Sequence, residues 1–202
     1  MYTVQPQNDG FQILKAGQPL RTPMGRLVTT NSEPIADKLV EHLELFGEDP
    51  SDPQSIVAFH YSYLDFFEKG ARPPLEHSVA IGLEEAHDWT YGCPSADPHR
   101  MMEWWGAFGR GPAQAEAGKE WLAGLSMMQL GAVCVVGRAL ESVNIPFIVA
   151  TSLKKKSLPA FIKVVDEQFP FMGPKGLKAV FDNYLLYFNA ETPSALGAPG
   201  KA

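Results

Sequence analysis

Histidine, cysteine and paired acidic residues are the groups from which a metal site or an acid–base pair would be built. Glu84-Glu85-Ala86-His87 contains a Glu-x-x-His, which on a helix sets Glu84 and His87 on one face, the spacing of a metal-ligand pair. Carboxylate-bridged two-metal bundles combine two such motifs with two further glutamates from neighbouring helices. Here the motif occurs once, and none of His42, His60, His77 or His99 completes a second. A solvated helix face is the simpler account of Glu84 and His87, with a metal-dependent enzyme as the competing one. A nucleophile elbow needs Gly-x-Ser-x-Gly, and Gly124-Leu125-Ser126-Met127-Met128 lacks the last glycine. Cys93, flanked in sequence by His87 and His99, offers a thiolate pair, but a lone loop cysteine needs no such role. Gly106, Gly109 and Gly111 do not follow the dinucleotide-binding order, and no strand pattern precedes them. The chain is therefore expected to be no enzyme and to need no cofactor.

Two kinds of element must position whatever these residues do. Over the first thirty residues, Gly10, Gly17 and Gly25 with Pro19 and Pro23 cut the chain into short pieces. The apolar segments between them, Phe11 to Leu14 and Arg26 to Thr30, read as strands of an antiparallel meander turned at Ala16-Gly17 and Met24-Gly25. From Asn31 the period becomes helical, with Ile35, Leu39, Leu43 and Phe46 on one stripe, Asn31 or Ser32 as cap and Gly47 as stop. Further helices are expected from Gln54 to Lys69, around Leu75 to Gly92, and after the Asp97-Pro98 start signal. In that last segment Met101, Trp104, Trp105 and Phe108 share a face, a heavy stripe that anchors either the core or a partner. The longest helix is predicted at about Ala115 to Ser142, ending before Pro146; others follow Ser157 and the Gly173-Pro174 break. The fold class is α+β, with a small β domain at 1–31, a helical domain at 32–190 and a disordered tail at 191–202.

Composition sets the outer bounds. The 202 residues are 45% apolar and 20% charged, the balance of a globular chain. Two cysteines exclude a disulfide scaffold, and a formal charge of −6 leaves no basic surplus for nucleic acid. The longest uncharged run, Trp121 to Gly137, falls short of a bilayer span. Residues Met1 to Asp9 are polar and lack the pattern of a signal peptide, so a cytoplasmic location is expected.

Charge is unevenly placed along the chain. Glu33 to Asp52 holds seven acidic residues against Lys38, and Lys154 to Lys178 holds six lysines against Asp166 and Glu167. Such polarity steers and orients a protein partner, although two solvated faces would read the same way.

Gly17-Gln18-Pro19-Leu20-Arg21-Thr22-Pro23 resembles a Gly-Arg-Pro-Leu-Lys-Thr-Pro segment of the assembly chaperones for the α subunit of the F-type ATP synthase. The strand and Pro-capped helix that follow, Arg26-Leu27-Val28 and Ser32 to Val40, are similar to that family too. So are Asp97-Pro98 through Phe108-Gly109, the small-residue helix Leu125 to Leu140, and Val165-Asp166-Glu167-Gln168-Phe169, which matches a late Val-Asp-Glu-x-Trp motif. The chain departs from the family in lacking its central Cys-Tyr-Arg-type segment and in the extra helix Gly176 to Phe188. The resemblance implies a non-enzymatic chaperone that covers an apolar edge of the α subunit until the subunit's own partner docks. It marks Asp166 and Glu167 for client contact or for holding the helical body in shape, with Trp104 and Trp105 as further contact candidates. Arg21, Thr22 and Pro23 it assigns to shaping the β domain. An interaction module of some other assembly is the third reading.

Overall fold

The structure, a computed structural model, describes residues 1–69, 120–142, 144–151 and 157–190. It is an α+β protein. Strand β1 (Tyr2–Gln7) pairs antiparallel with β2 (Gly10–Lys15), and the other edge of β2 carries β3 (Gln18–Pro19) and β4 (Thr29–Thr30). The β2–β3 turn falls on Ala16 and Gly17, whose φ values of 50° and 79° give the left-handed pair that a two-residue hairpin requires. At the next corner the Thr22 amide donates to the Arg26 carbonyl and the Gly25 amide to the Thr22 carbonyl, closing the turn around Met24-Gly25.

Helix α1 (Glu33–Phe46) packs on this sheet, burying Ile35, Ala36, Leu39 and Leu43 against it. Pro34 sits in its first turn, and Gly47 ends it at φ 75° with its amide on the Leu43 carbonyl at 3.0 Å. Ser32 is the cap position, but its hydroxyl makes no capping bond. Helix α2 (Ile56–Ser62) starts at Ser55, whose hydroxyl accepts from the Val57 amide, and runs into a π-helical turn (Tyr63–Phe67).

Helices α3 (Met127–Ala139), α4 (Asn144–Thr151), α5 (Leu158–Asp166) and α6 (Gly173–Asn189) build the body. α6 is central, touching α2, α3, α4 and α5. The buried apolar residues form one cluster, from Ile13, Leu20 and Val28 under the sheet to Val180, Phe181, Tyr184 and Tyr187 on α6.

Two expectations are corrected. β1 lies outside the strand segments expected from the sequence: Pro6 and two glutamines mask the alternation of Tyr2 and Val4, and pairing with β2 decides it. The single helix expected from Ala115 to Ser142 is instead interrupted at Ser126, which starts α3 with a full capping box. The Ser126 hydroxyl accepts from the Gln129 amide at 3.1 Å, and the Gln129 side chain accepts from the Ser126 amide at 3.0 Å. The expected end before Pro146 holds, with α3 stopping at Ala139, and Pro146 itself lies within the first turn of α4, where its missing amide hydrogen costs nothing. The expectations for 75–92, the Trp104–Trp105 segment and the tail 191–202 fall outside the described residues.

Candidate partner-binding surface

Asp166 is the last residue of α5 and Glu167 caps it, so the acidic pair opens the six-residue connection to α6. α5 forms because Leu158, Phe161, Ile162 and Val165 recur at helical spacing, with Pro159 in its first turn. Phe161, Ile162 and Val165 are buried, which fixes the direction in which the end of the helix points. Asp166 is half-buried, with Oδ1 shielded from solvent and without a hydrogen-bond partner among the described residues. Glu167 is exposed. The two neighbours in sequence thus differ in availability, Glu167 standing outward and Asp166 turned toward the body.

The connection is held tightly. The Gln168 and Phe169 amides both donate to the Val165 carbonyl at 3.0 Å, and the Met172 amide donates to the Phe169 carbonyl at 3.0 Å. Phe169 is buried, and Phe171 stands on it edge-to-face at 5.9 Å while remaining 78% exposed. Beside Phe171 and Met172 lies a groove of about 520 Å³. Its walls come from the α1–α2 loop (Pro50, Pro53), the face of α2 (Ala58) and the C-terminal half of α3 (Val135, Arg138, Ala139). Sequence reasoning marked the acidic pair and missed the groove. Two signals were available: an apolar Phe169-Pro170-Phe171-Met172 run inside an interhelical loop, and Arg138 as the charge that ends the long uncharged run.

Most of the acidic run Glu33 to Asp52 is committed within the molecule. Glu44 accepts from the Tyr2 amide at 2.6 Å, and Glu48 takes both the Tyr2 hydroxyl at 2.7 Å and the Lys15 ammonium at 2.6 Å. Those two donors hold the Glu48 carboxyl below its usual range, and burial with the Glu48 bond pushes the Tyr2 hydroxyl up to about 12. Glu41 pairs with Lys38 at 2.9 Å, and Asp49 and Asp52 accept from the Ser51 and Gln54 amides. Glu44 and Glu48 thus tie α1 and its loop to the sheet, while Glu41, Asp49 and Asp52 make local bonds within the helix and the loop.

Segment Gly17–Pro23 is likewise structural in its contacts. The Thr22 hydroxyl donates to Asp65 of the π turn while accepting from the Arg26 amide at 3.1 Å, and the Arg21 guanidinium donates to the Gly25 carbonyl at 2.7 Å. Glu84, His87, Trp104 and Trp105 lie outside the described residues. Among the described residues no group of three His, Cys, Asp or Glu could hold a metal ion, and no helix is long and apolar enough to cross a membrane. Cys134 is half-buried, and burial pushes its thiol up to about 12, which disfavours the thiolate.

The described chain is thus a small antiparallel sheet on a helical body, with an acidic helix end beside an exposed aromatic. No family model matches the sequence, and no curated protein matches it. Solved structures with the same fold include Atp12 from Paracoccus denitrificans, an ATP synthase α-subunit assembly chaperone, at 14% identity and a TM-score of 0.57. A second is an aspartate-to-lysine mutant of P. denitrificans Atp12p, at 14% identity and a TM-score of 0.59. Each match covers 92% of this chain and 94% of the other. The resemblance read from short sequence segments is therefore matched in the fold.

Proposed function

We propose that this protein is a non-enzymatic assembly chaperone that binds the α-type subunit of an F-type ATP synthase before that subunit joins the catalytic head. The observation that carries the reading is the fold shared with Atp12 over nine-tenths of both chains. The surface is consistent with the task. A chaperone for an apolar edge needs exposed apolar side chains with a charged rim, and must let go when the true partner arrives, which favours a modest interface. Phe171 supplies an exposed aromatic and Glu167 a charge four residues away on the same connection. In this reading Glu167 contacts the client and Asp166 holds the end of α5 in shape. Trp104 and Trp105 remain contact candidates, no cofactor takes part, and the protein works in the cytoplasm.

The test is co-expression of the tagged chain with the α subunit of its own host, followed by capture. The expected result is recovery of the α subunit with the wild type and at least severalfold less with Glu167→Lys, a charge reversal on an exposed residue that should fold normally. Failure to capture the α subunit under conditions where the β subunit is absent would sink the proposal. Capture unaffected by Glu167→Lys would remove the residue assignment alone.

A further inference from the structure

The groove beside Phe171 has features that the chaperone reading does not by itself supply. Its lining is mainly apolar, from Pro50, Pro53, Ala58, Val135, Ala139 and Met172, and its single ionisable group among the described residues is Arg138. Arg138 is exposed and has no ion-pair or hydrogen-bond partner among the described residues. Lys15, Lys38 and Lys178 each hold a carboxylate, whereas Arg138, like Lys163 and Lys175, holds none among the described residues. Two prolines and two helices make the walls stiff, so little ordering is needed on binding. About 520 Å³ is room for two or three large side chains, the footprint of a peptide segment.

From these features we infer that the groove receives an extended segment of a protein partner that carries a bulky apolar side chain next to a carboxylate. The apolar side chain packs on Val135, Ala139 and Met172 against the edge of Phe171, and the carboxylate pairs with the Arg138 guanidinium. The inference rests on the protein-binding reading above and narrows the chemistry of what is bound. Charge complementarity fixes the sign: a protein of formal charge −6 repels acidic peptides at long range, so a preference for one must be local.

The experiment uses the full chain and two blocked hexapeptides, Asp-Leu-Phe-Asp-Leu-Asp and the same sequence with Lys for Asp. Each is titrated at 150 mM salt while amide resonances are followed by NMR. The acidic peptide should shift Val135, Ala139 and Met172 and bind about fivefold more tightly than the basic one, the upper range for an exposed ion pair. Arg138→Glu should invert that preference and Arg138→Lys should largely keep it. Phe171→Ala, also at an exposed site, should weaken both peptides. The inference is overturned if neither peptide shifts these resonances at 5 mM, if the basic peptide is preferred, or if the shifts lie elsewhere. It is also overturned if sedimentation shows that a second copy of the chain fills the groove and Arg138→Glu releases it. Peptide binding without capture of the α subunit would remove the client assignment and keep the groove. Capture without peptide binding would do the reverse.

Discussion

His60 is 1% exposed and uses both ring nitrogens. Nε2 faces the Thr29 carbonyl at 3.0 Å and must donate, which leaves Nδ1 to accept from the Tyr187 hydroxyl. That fixes the neutral tautomer, and burial pushes the imidazole down to about 4. His42, whose Nδ1 accepts from the Ile56 amide at 3.0 Å, is lowered by burial as well. The consequence for stability has a definite sign. The unfolded chain takes up a proton at His60 as pH falls through 6.5, whereas the folded chain resists until about 4. Stability is therefore full above 6.5 and is lost between 6.5 and 4, by about 3 kcal/mol from this residue. Urea unfolding at a series of pH values should show that decline, with the His60 ring carbon resonances still neutral at pH 5. A ring already protonated at pH 6 in the folded state would contradict it.

At the scale of elements, α3 shows how a local signal and a tertiary one divide the work. Its start is set by the Ser126–Gln129 capping box, while Gln129 Nε2 also donates to the Phe188 carbonyl at 3.0 Å near the end of α6. Gly131 lets α3 lie against the π turn, since a Cβ there would stand 3.2 Å from Phe67. Ser126→Ala should cost about 1 kcal/mol in denaturant unfolding with the fold intact. A cost near zero would mean that packing of α3, and not its cap, sets the boundary. The same comparison shows what was legible beforehand. Helix α1, the Ala16-Gly17 turn and the Gly173-Pro174 boundary carry their own residue-level signals and fall where expected. β1 and the break at Ser126 do not: a polar edge strand depends on its neighbour, and a serine inside an apolar run looks like a tolerated helix residue until its partner at 129 is seen. The acidic pair was legible as a motif, whereas the groove draws on three distant segments that no spacing rule connects.

Across the whole molecule, the last helix is the element on which the others close. Asn183 donates to the Gln54 carbonyl at 2.8 Å, Tyr184 to the Pro146 carbonyl at 2.8 Å, and Tyr187 to His60, which in turn holds Thr29 of the sheet. One apolar cluster runs through all of it. Removal of residues 183–202 should therefore abolish the cooperative transition of the entire chain, including amide protection at Ile13 in the sheet. Retained protection at Ile13 in the truncated chain would show that the sheet and α1 stand alone.

The Tyr187–His60 bond spans 127 positions, and Thr29 lies further still toward the start. On a ribosome the chain emerges from its N-terminus, so the sheet is made first, and the Tyr187–His60 bond that ties it to α6 can form only after α6 has been released. For most of its own synthesis the chain therefore holds a His60 whose second ring nitrogen still waits for the Tyr187 hydroxyl.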